Sequence, residues 1–260
     1  MNRQKFLGQH FLKNRSLAEF MATTAQTEPP VNVILEIGSG RGVLTRALAE
    51  KFLRVIAVEK DLRLAENLKK TLAFEKIKNC EIIASDILKI DFLKLLGKNP
   101  YAVIANIPYY ITGRLVRILL EAKRQPAYMV LMVQKEVAER IVAHPPQMNL
   151  LALSIQARGK PKIISHVSKK EFAPKPKVDS AVIKISKISG NFFIENKISE
   201  KKFFALARAG FSQKRKRLAN TLAEFFGGKN KAEEKIKKAG LAPNARAQEL
   251  SSAEWVRLLR

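Results

Sequence analysis

A chain of 260 residues with 47% apolar content can bury a full core. Its longest unbroken apolar run, residues 127–133, falls far short of the ~20 residues a membrane span needs. A formal charge of +25 with a pI near 10.3 points to a polyanionic partner. One cysteine, Cys80, excludes an internal disulfide and any Cys-rich metal site, and His10, His144 and His166 have no ligand-like spacing. The expectation is a cytoplasmic protein without a metal.

The basic segment at residues 1–13 lacks the apolar core of a secretory signal, and Gly8-Gln9-His10-Phe11-Leu12 within it is expected to belong to the folded protein. Apolar strand patterns then follow at residues 33–37, 55–58, 81–84, 102–105, 129–133 and 151–156. Helical patterns lie between them at 44–52, 62–74, 115–122 and 135–143. Such alternation predicts a mostly parallel sheet covered on both faces. A further strand is expected at 181–186, after the proline-rich loop 172–177. From about Gly190 the pattern becomes helical alone, at 199–209, 213–226, 231–239 and 253–259. The fold expected is therefore α/β and Rossmann-like over residues 1–190, with a small all-helical domain over 191–260, the boundary falling near 188–198.

Glu36-Ile37-Gly38-Ser39-Gly40-Arg41-Gly42 follows the first strand pattern and reads as a turn whose glycines let a nucleotide-like cofactor approach the backbone. A dinucleotide fingerprint, G-x-G-x-x-G, would place a third glycine at position 43, where this chain has Val43. That disfavours NAD. Glu59 closes the second strand pattern, where a carboxylate can accept ribose hydroxyls, and Asp86 closes the third, where it can accept from an adenine amino group. Glu36, Glu59 and Asp86 thus all fall at the carboxyl edge of the expected sheet, where open α/β sheets bind ligands.

Asn106-Ile107-Pro108-Tyr109 ends the fourth strand pattern on the same edge. The exocyclic nitrogen of adenine is a poor nucleophile because its lone pair is delocalised into the ring. The Asn106 side-chain oxygen and the Ile107 carbonyl can accept its two N–H groups, so that the lone pair points at an incoming methyl. Pro108 would hold the loop, and Tyr109 offers a face for base stacking. With the glycine turn, this pattern points to a methyltransferase acting on a base.

On these segments, together with Phe172-Ala173-Pro174-Lys175-Pro176-Lys177-Val178-Asp179-Ser180 and Phe211-Ser212-Gln213-Lys214-Arg215-Lys216, the chain resembles the ribosomal RNA adenine dimethyltransferase family over essentially its whole length. The resemblance implies S-adenosylmethionine as cofactor and dimethylation at N6 of two adjacent adenosines near the 3′ end of small-subunit ribosomal RNA. The substrate would be the immature small subunit, with the enzyme a monomer. It also implies cofactor contacts from His10, Leu12, Gly38, Gly40, Glu59, Asp86 and Asn106, and an adenine sandwiched between Tyr109 and Phe172. Many relatives carry asparagine at the position of His10, so a backbone contact is expected there. The alternatives are a large-subunit methyltransferase of the antibiotic-resistance type and a non-catalytic ribosome-assembly or transcription factor on the same fold.

Residues 160–260 hold 24 Lys and Arg against 9 Asp and Glu, and the densest cluster is Lys214-Arg215-Lys216-Arg217. If Ser212 caps the helical pattern at 213–226, these cations fall in its first turn, where the macrodipole disfavours them. A bound RNA phosphate would relieve that conflict.

Overall fold

The computed structural model describes residues 10–213 and 216–260. They form two compact units, one running to Ala138 and resuming over Lys160–Ile188, the other made of Glu139–Gly159 and Ser189–Arg260.

The strands of the first unit are β1 (Phe11–Leu12), β2 (Val33–Ile37), β3 (Val55–Glu59), β4 (Cys80–Ala84), β5 (Tyr101–Asn106), β6 (Met129–Gln134), β7 (Lys160–Val167), β8 (Phe172–Ala173) and β9 (Ser180–Ser186). Seven of them make one sheet in the order β4-β3-β2-β5-β6-β9-β7, parallel except for β9, which runs antiparallel to both β6 and β7. β2 and β3 are buried at every position, as strands covered on both faces must be, and this explains why their sequences are apolar without alternation. Helices Arg15–Gln26 and Val43–Ala49 contribute Ala18, Met21, Leu44 and Leu48 to a core shared with Ile34, Val55, Ile104 and Val130. The chain steps outward from β2 through β3 to β4, then returns to the other side of β2 as β5. This reversal opens the crevice at the carboxyl ends of β2 and β5 in which such folds bind ligands.

β1 and β8 pair antiparallel as a separate two-stranded sheet, with Phe11 opposite Ala173 and Leu12 opposite Phe172. The N-terminal segment is thereby fastened to the proline-rich loop.

Two expected elements differ, and strand β7 is added. Residues 151–156 are not a strand but the helix Leu150–Gln156, started by Asn149, whose side-chain oxygen accepts from the Ala152 N–H. A short apolar run carries no periodicity strong enough to separate a strand from a buried helix turn, and the cap decides. These residues pack with the helical unit, where Leu153 and Ala157 join a core with Phe193, Phe203, Leu206 and Trp255, so that unit recruits a segment from before the expected boundary. β7 has no counterpart among the expected elements because Lys160-Pro161-Lys162 disguises it. It lies at the sheet edge, where proline and lysine are tolerated.

The other differing element is the helix expected at 213–226. Ser212 does not cap it; its hydroxyl donates to the Ala209 carbonyl. Among the described residues of this stretch, helix is found at Leu218–Thr221 and Ala223–Phe226. Lys216 and Arg217 therefore precede a four-residue helix, with Arg217 at its N-cap, instead of occupying a first turn, which weakens the dipole conflict expected for them. Lys214 and Arg215 lie outside the described residues.

Within the helical unit, the Arg158 guanidinium is buried, stacked 4.4 Å from the Phe204 ring centre and paired with Glu200. The aromatic face and the carboxylate together offset the cost of burying that charge.

Candidate active site

The carboxyl ends of β2, β3, β4 and β5 surround one cavity. Its floor is the glycine turn. Gly40 and Gly42 both hold positive φ, +55° and +78°. A Cβ on Gly40 would lie 3.0 Å from the Phe11 ring, and one on Gly42 2.3 Å from Leu68 Cδ1. Only glycine combines that backbone conformation with that approach.

Glu59 braces the turn from the neighbouring strand. One carboxylate oxygen accepts from the Gly40 N–H at 2.9 Å and the other from the Asp61 N–H at 2.9 Å. Each oxygen keeps a further lone pair for a ligand, so the side chain is pre-set at the end of β3. Asp86, beyond the end of β4, accepts from the Leu88 N–H at 3.1 Å and pairs with Lys60 at 2.8 Å. The hydrogen bond from Lys60 is the main reason its pKa lies below the usual carboxylate value.

Glu36, on β2, is 1% exposed, and neither of its carboxylate oxygens makes a well-formed hydrogen bond, although the Thr45 hydroxyl is near enough to favour its ionised form; the Ser39 hydroxyl is likewise buried without a partner. Burial raises the Glu36 pKa to about 8, opposed in part by the neighbouring Thr45 hydroxyl and reinforced by the Glu59 carboxylate. A buried acid without a well-formed hydrogen bond and the orphaned Ser39 hydroxyl, both lining the cavity beside the glycine turn, suit a cationic, polar ligand group. The pH dependence has a definite sign. The unfolded chain releases this proton near 4.5, whereas the folded protein holds it until about 8. The ligand-free protein should therefore lose stability as pH rises between those values. Glu36→Gln should flatten that slope, as urea unfolding at pH 5 and pH 8 would reveal, and an unchanged slope would mean that Glu36 ionises freely in the fold.

The second wall comes from the end of β5. Asn106 Nδ2 donates to the His10 carbonyl at 3.3 Å, and no protein group is hydrogen-bonded to Oδ1 among the described residues. The amide is thus oriented, with its acceptor free. The Ile107 N–H is tied to the Met132 carbonyl at 3.1 Å, and Pro108 and Tyr109 complete this wall. A Cβ on Gly38 would lie 3.7 Å from the Asn106 carbonyl oxygen, so the two motifs, far apart in sequence, meet across the crevice.

His10 and Leu12 line the same cavity with Gly38, Gly40, Glu59 and Asp86. Phe172 does not. Its ring is 2% exposed and belongs to the core with Leu12, Ile104, Met132 and Val182, because β8 is drawn against β1. The sandwich expected between Tyr109 and Phe172 is not present in this arrangement: Tyr109 lines the cavity and Phe172 does not. Sequence patterns do not mark Lys60, Tyr110 or the unpartnered hydroxyl of Ser39 as part of the site. The first two immediately follow Glu59 and Tyr109, and their adjacency was the only available signal.

In the helical unit, Lys216 and Arg217 line a second cavity with Lys229, Arg246 and Asn220. The lining also holds Glu233, 3.8 Å from Lys229, so four cations stand against one carboxylate and the cavity remains basic. Lys229 and Arg246 are separated from the motif cluster in sequence and could not be joined to it by spacing. Among the described residues there is no cluster of three or more potential metal ligands and no helix long and apolar enough to cross a membrane.

Comparison with known proteins gives consistent results. The ribosomal RNA adenine dimethylase family model matches residues 1–260. A ribosomal RNA small subunit methyltransferase A from Dehalococcoides mccartyi (strain BAV1) is 44% identical over 98% of this chain and 87% of its own length. One from Streptococcus pneumoniae (strain D39) is 36% identical over 98% and 90%. Among solved structures, a dimethyladenosine transferase from Plasmodium falciparum superposes with a TM-score of 0.81 at 26% identity, covering 96% of each chain. The 23S rRNA methyltransferase ErmE superposes with a TM-score of 0.73 at 25% identity, over 96% of this chain and 98% of that one.

Proposed function

Because the chain belongs to the ribosomal RNA adenine dimethylase family, we propose that it dimethylates N6 of two adjacent adenosines in the 3′-terminal hairpin loop of small-subunit ribosomal RNA. It would act as a cytoplasmic monomer on the immature small subunit. The small-subunit reading is supported by relatives at 36–44% identity that carry that name.

S-adenosylmethionine is the cofactor, and it supplies a methyl group on a sulfonium. The cavity fits it: the glycine turn admits it to the backbone, and the Glu36 carboxyl and the orphaned Ser39 hydroxyl, both in the cavity lining, offer partners for its charged amino-acid end. Glu59 would accept from ribose hydroxyls and Asp86 from the adenine amine, while His10 and Leu12 close the N-terminal side.

The observation that carries the reading is the state of Asn106. Its amide nitrogen is already used by the His10 carbonyl, so its oxygen is the group left to accept from a base. With the Ile107 carbonyl it would hold both N–H groups of the target amine and turn the lone pair toward the methyl, without reorganising during the reaction. Tyr109 would support the base, which must leave the RNA stack to reach the cavity. No titrating base is required at the nitrogen, because positive charge develops there first and the proton can leave to solvent afterwards.

Offering labelled cofactor in parallel to immature small subunits, large-subunit RNA and DNA tests this. Label confined to small subunits and recovered as dimethyladenosine is expected; transfer to large-subunit RNA instead would replace the substrate assignment.

The basic cavity, lined by Lys216, Arg217, Lys229 and Arg246, supports a phosphate grip by the cluster Lys214, Arg215, Lys216 and Arg217, of which Lys214 and Arg215 lie outside the described residues. Changing the four consecutive cations to glutamine should weaken RNA binding similarly for matched and mismatched RNAs, since phosphate contacts position without reading sequence. The slope of log affinity against log salt should fall by roughly 3, at ~0.7–0.9 per phosphate. Filter binding across a salt series measures it, and an unchanged slope would move the grip to the lysines around Phe172.

A further inference from the structure

The Phe172–Ser180 segment ends in a residue that the catalytic reading leaves unused. Ser180 is 0% exposed, at the start of β9, where it is held in register opposite Gln134 of β6 and Val167 of β7. Its hydroxyl lies 2.9 Å from the Tyr109 hydroxyl. Tyr109 is half-buried, and it sits in a single turn of 3-10 helix over Tyr109–Ile111 that makes no side-chain cap of its own. Its backbone is thus fixed at one end of the ring and Ser180 fixes the other.

A second prop comes from the opposite side of the same segment. The His10 and Tyr109 ring centres are 5.7 Å apart, with their planes inclined by 32°. His10 is in turn held by Nδ1, 2.8 Å from the Pro174 carbonyl; since a carbonyl only accepts, Nδ1 carries the proton. Two residues of the Phe172–Ser180 segment therefore act on the tyrosine, Ser180 directly and Pro174 through His10.

Resting on the reading of Tyr109 as the support for the target base, we infer that Ser180 is a positioning residue for base capture, its hydroxyl presetting the Tyr109 ring before the RNA arrives. An extruded base has already lost its neighbours in the stack. A ring that must also be ordered on arrival would add to that cost, whereas a tethered ring does not. With Phe172 withdrawn into the core, the segment contributes to the base site through its serine and proline, not through its phenylalanine.

The test is a double-mutant cycle with Ser180→Ala, Tyr109→Phe and the double variant. Each single change removes the same hydrogen bond. Each should lower kcat/KM for the small-subunit substrate by about 3- to 10-fold, the scale of one net hydrogen bond. The loss should appear mainly in KM, with cofactor affinity by calorimetry within about twofold of wild type. The double variant should be no worse than the poorer single variant, because the bond can be lost only once. A 2-aminopurine placed at the target adenosine gives a direct readout, and its fluorescence rise on binding should shrink in both single variants. Additive losses in the cycle, or an unchanged 2-aminopurine signal in Ser180→Ala, would overturn the inference. Tyr109→Phe alone decides the matter if Ser180→Ala does not fold. If Tyr109→Ala leaves capture intact, the underlying reading of Tyr109 fails; if it abolishes capture while Tyr109→Phe and Ser180→Ala do not impair it, only the role of Ser180 fails.

Discussion

Asn106→Ala is expected to cut turnover by ~10²-fold or more, about 2.7 kcal/mol, the scale for one preorganised polar group acting on developing charge. The reason lies in how little of this side chain the fold itself uses. Its nitrogen makes one hydrogen bond of 3.3 Å to the His10 carbonyl, and its oxygen is left for the substrate. The structural loss on truncation is small, while the loss in the transition state is large. Cofactor affinity should change little beside it, since the glycine turn, Glu59 and Asp86 are untouched. Single-turnover transfer to small subunits, with calorimetric cofactor affinity as the control, separates the two quantities. Turnover within twofold of wild type would remove Asn106 from the mechanism.

Phe172→Ala is expected to act on the fold. A ring that is 2% exposed and packed with Leu12, Ile104, Met132 and Val182 leaves a cavity when truncated, at a cost of ~3–5 kcal/mol. For a protein of this size, the midpoint of thermal unfolding should drop by roughly 10 °C. Because Phe172 also anchors β8 against β1, the segment bearing His10 should loosen as well, and cofactor affinity should fall with stability. Thermal unfolding with and without cofactor measures both. If the variant kept wild-type stability but captured the target base poorly, the stacking role implied by the family resemblance would be restored, and the ring would have to leave the core during the reaction.

The glycine turn, the acids at the ends of β3 and β4, and the Asn-Ile-Pro-Tyr segment are all legible in the sequence, and for one reason. Each is a local device whose chemistry is written in adjacent residues: glycines at positions of positive φ, a carboxylate closing an apolar strand, an amide preceding a proline. Once the strand and helix periodicities place these devices at one sheet edge, their convergence follows from the right-handed, mostly parallel topology. The apolar strands β2, β3, β5 and β6 are legible on the same ground, since burial on both faces leaves an unbroken apolar run.

What adjacency does not encode was decided by tertiary structure. The run at Leu150–Gln156 is apolar enough for a strand or a helix, and the Asn149 cap together with packing against Phe203 and Trp255 in the helical core settles it as a helix. The Ser212 side chain bonds backward to Ala209 and does not cap the pattern at 213–226, and the next described helix begins at Leu218. Phe172 lies in the core and not at the cavity because β1 pairs with β8, and Ser180 meets Tyr109 across 71 positions of chain. Glu36 looks in sequence like one of three equivalent strand-end acids, yet burial leaves it without a well-formed hydrogen bond and raises its pKa to about 8, while Glu59 is fully braced by backbone N–H groups. By itself, the sequence determined which chemical groups reach the carboxyl edge. Only the packed fold decided which of them are already satisfied and which remain free to act, because hydrogen-bond partners and burial come from residues distant in the chain.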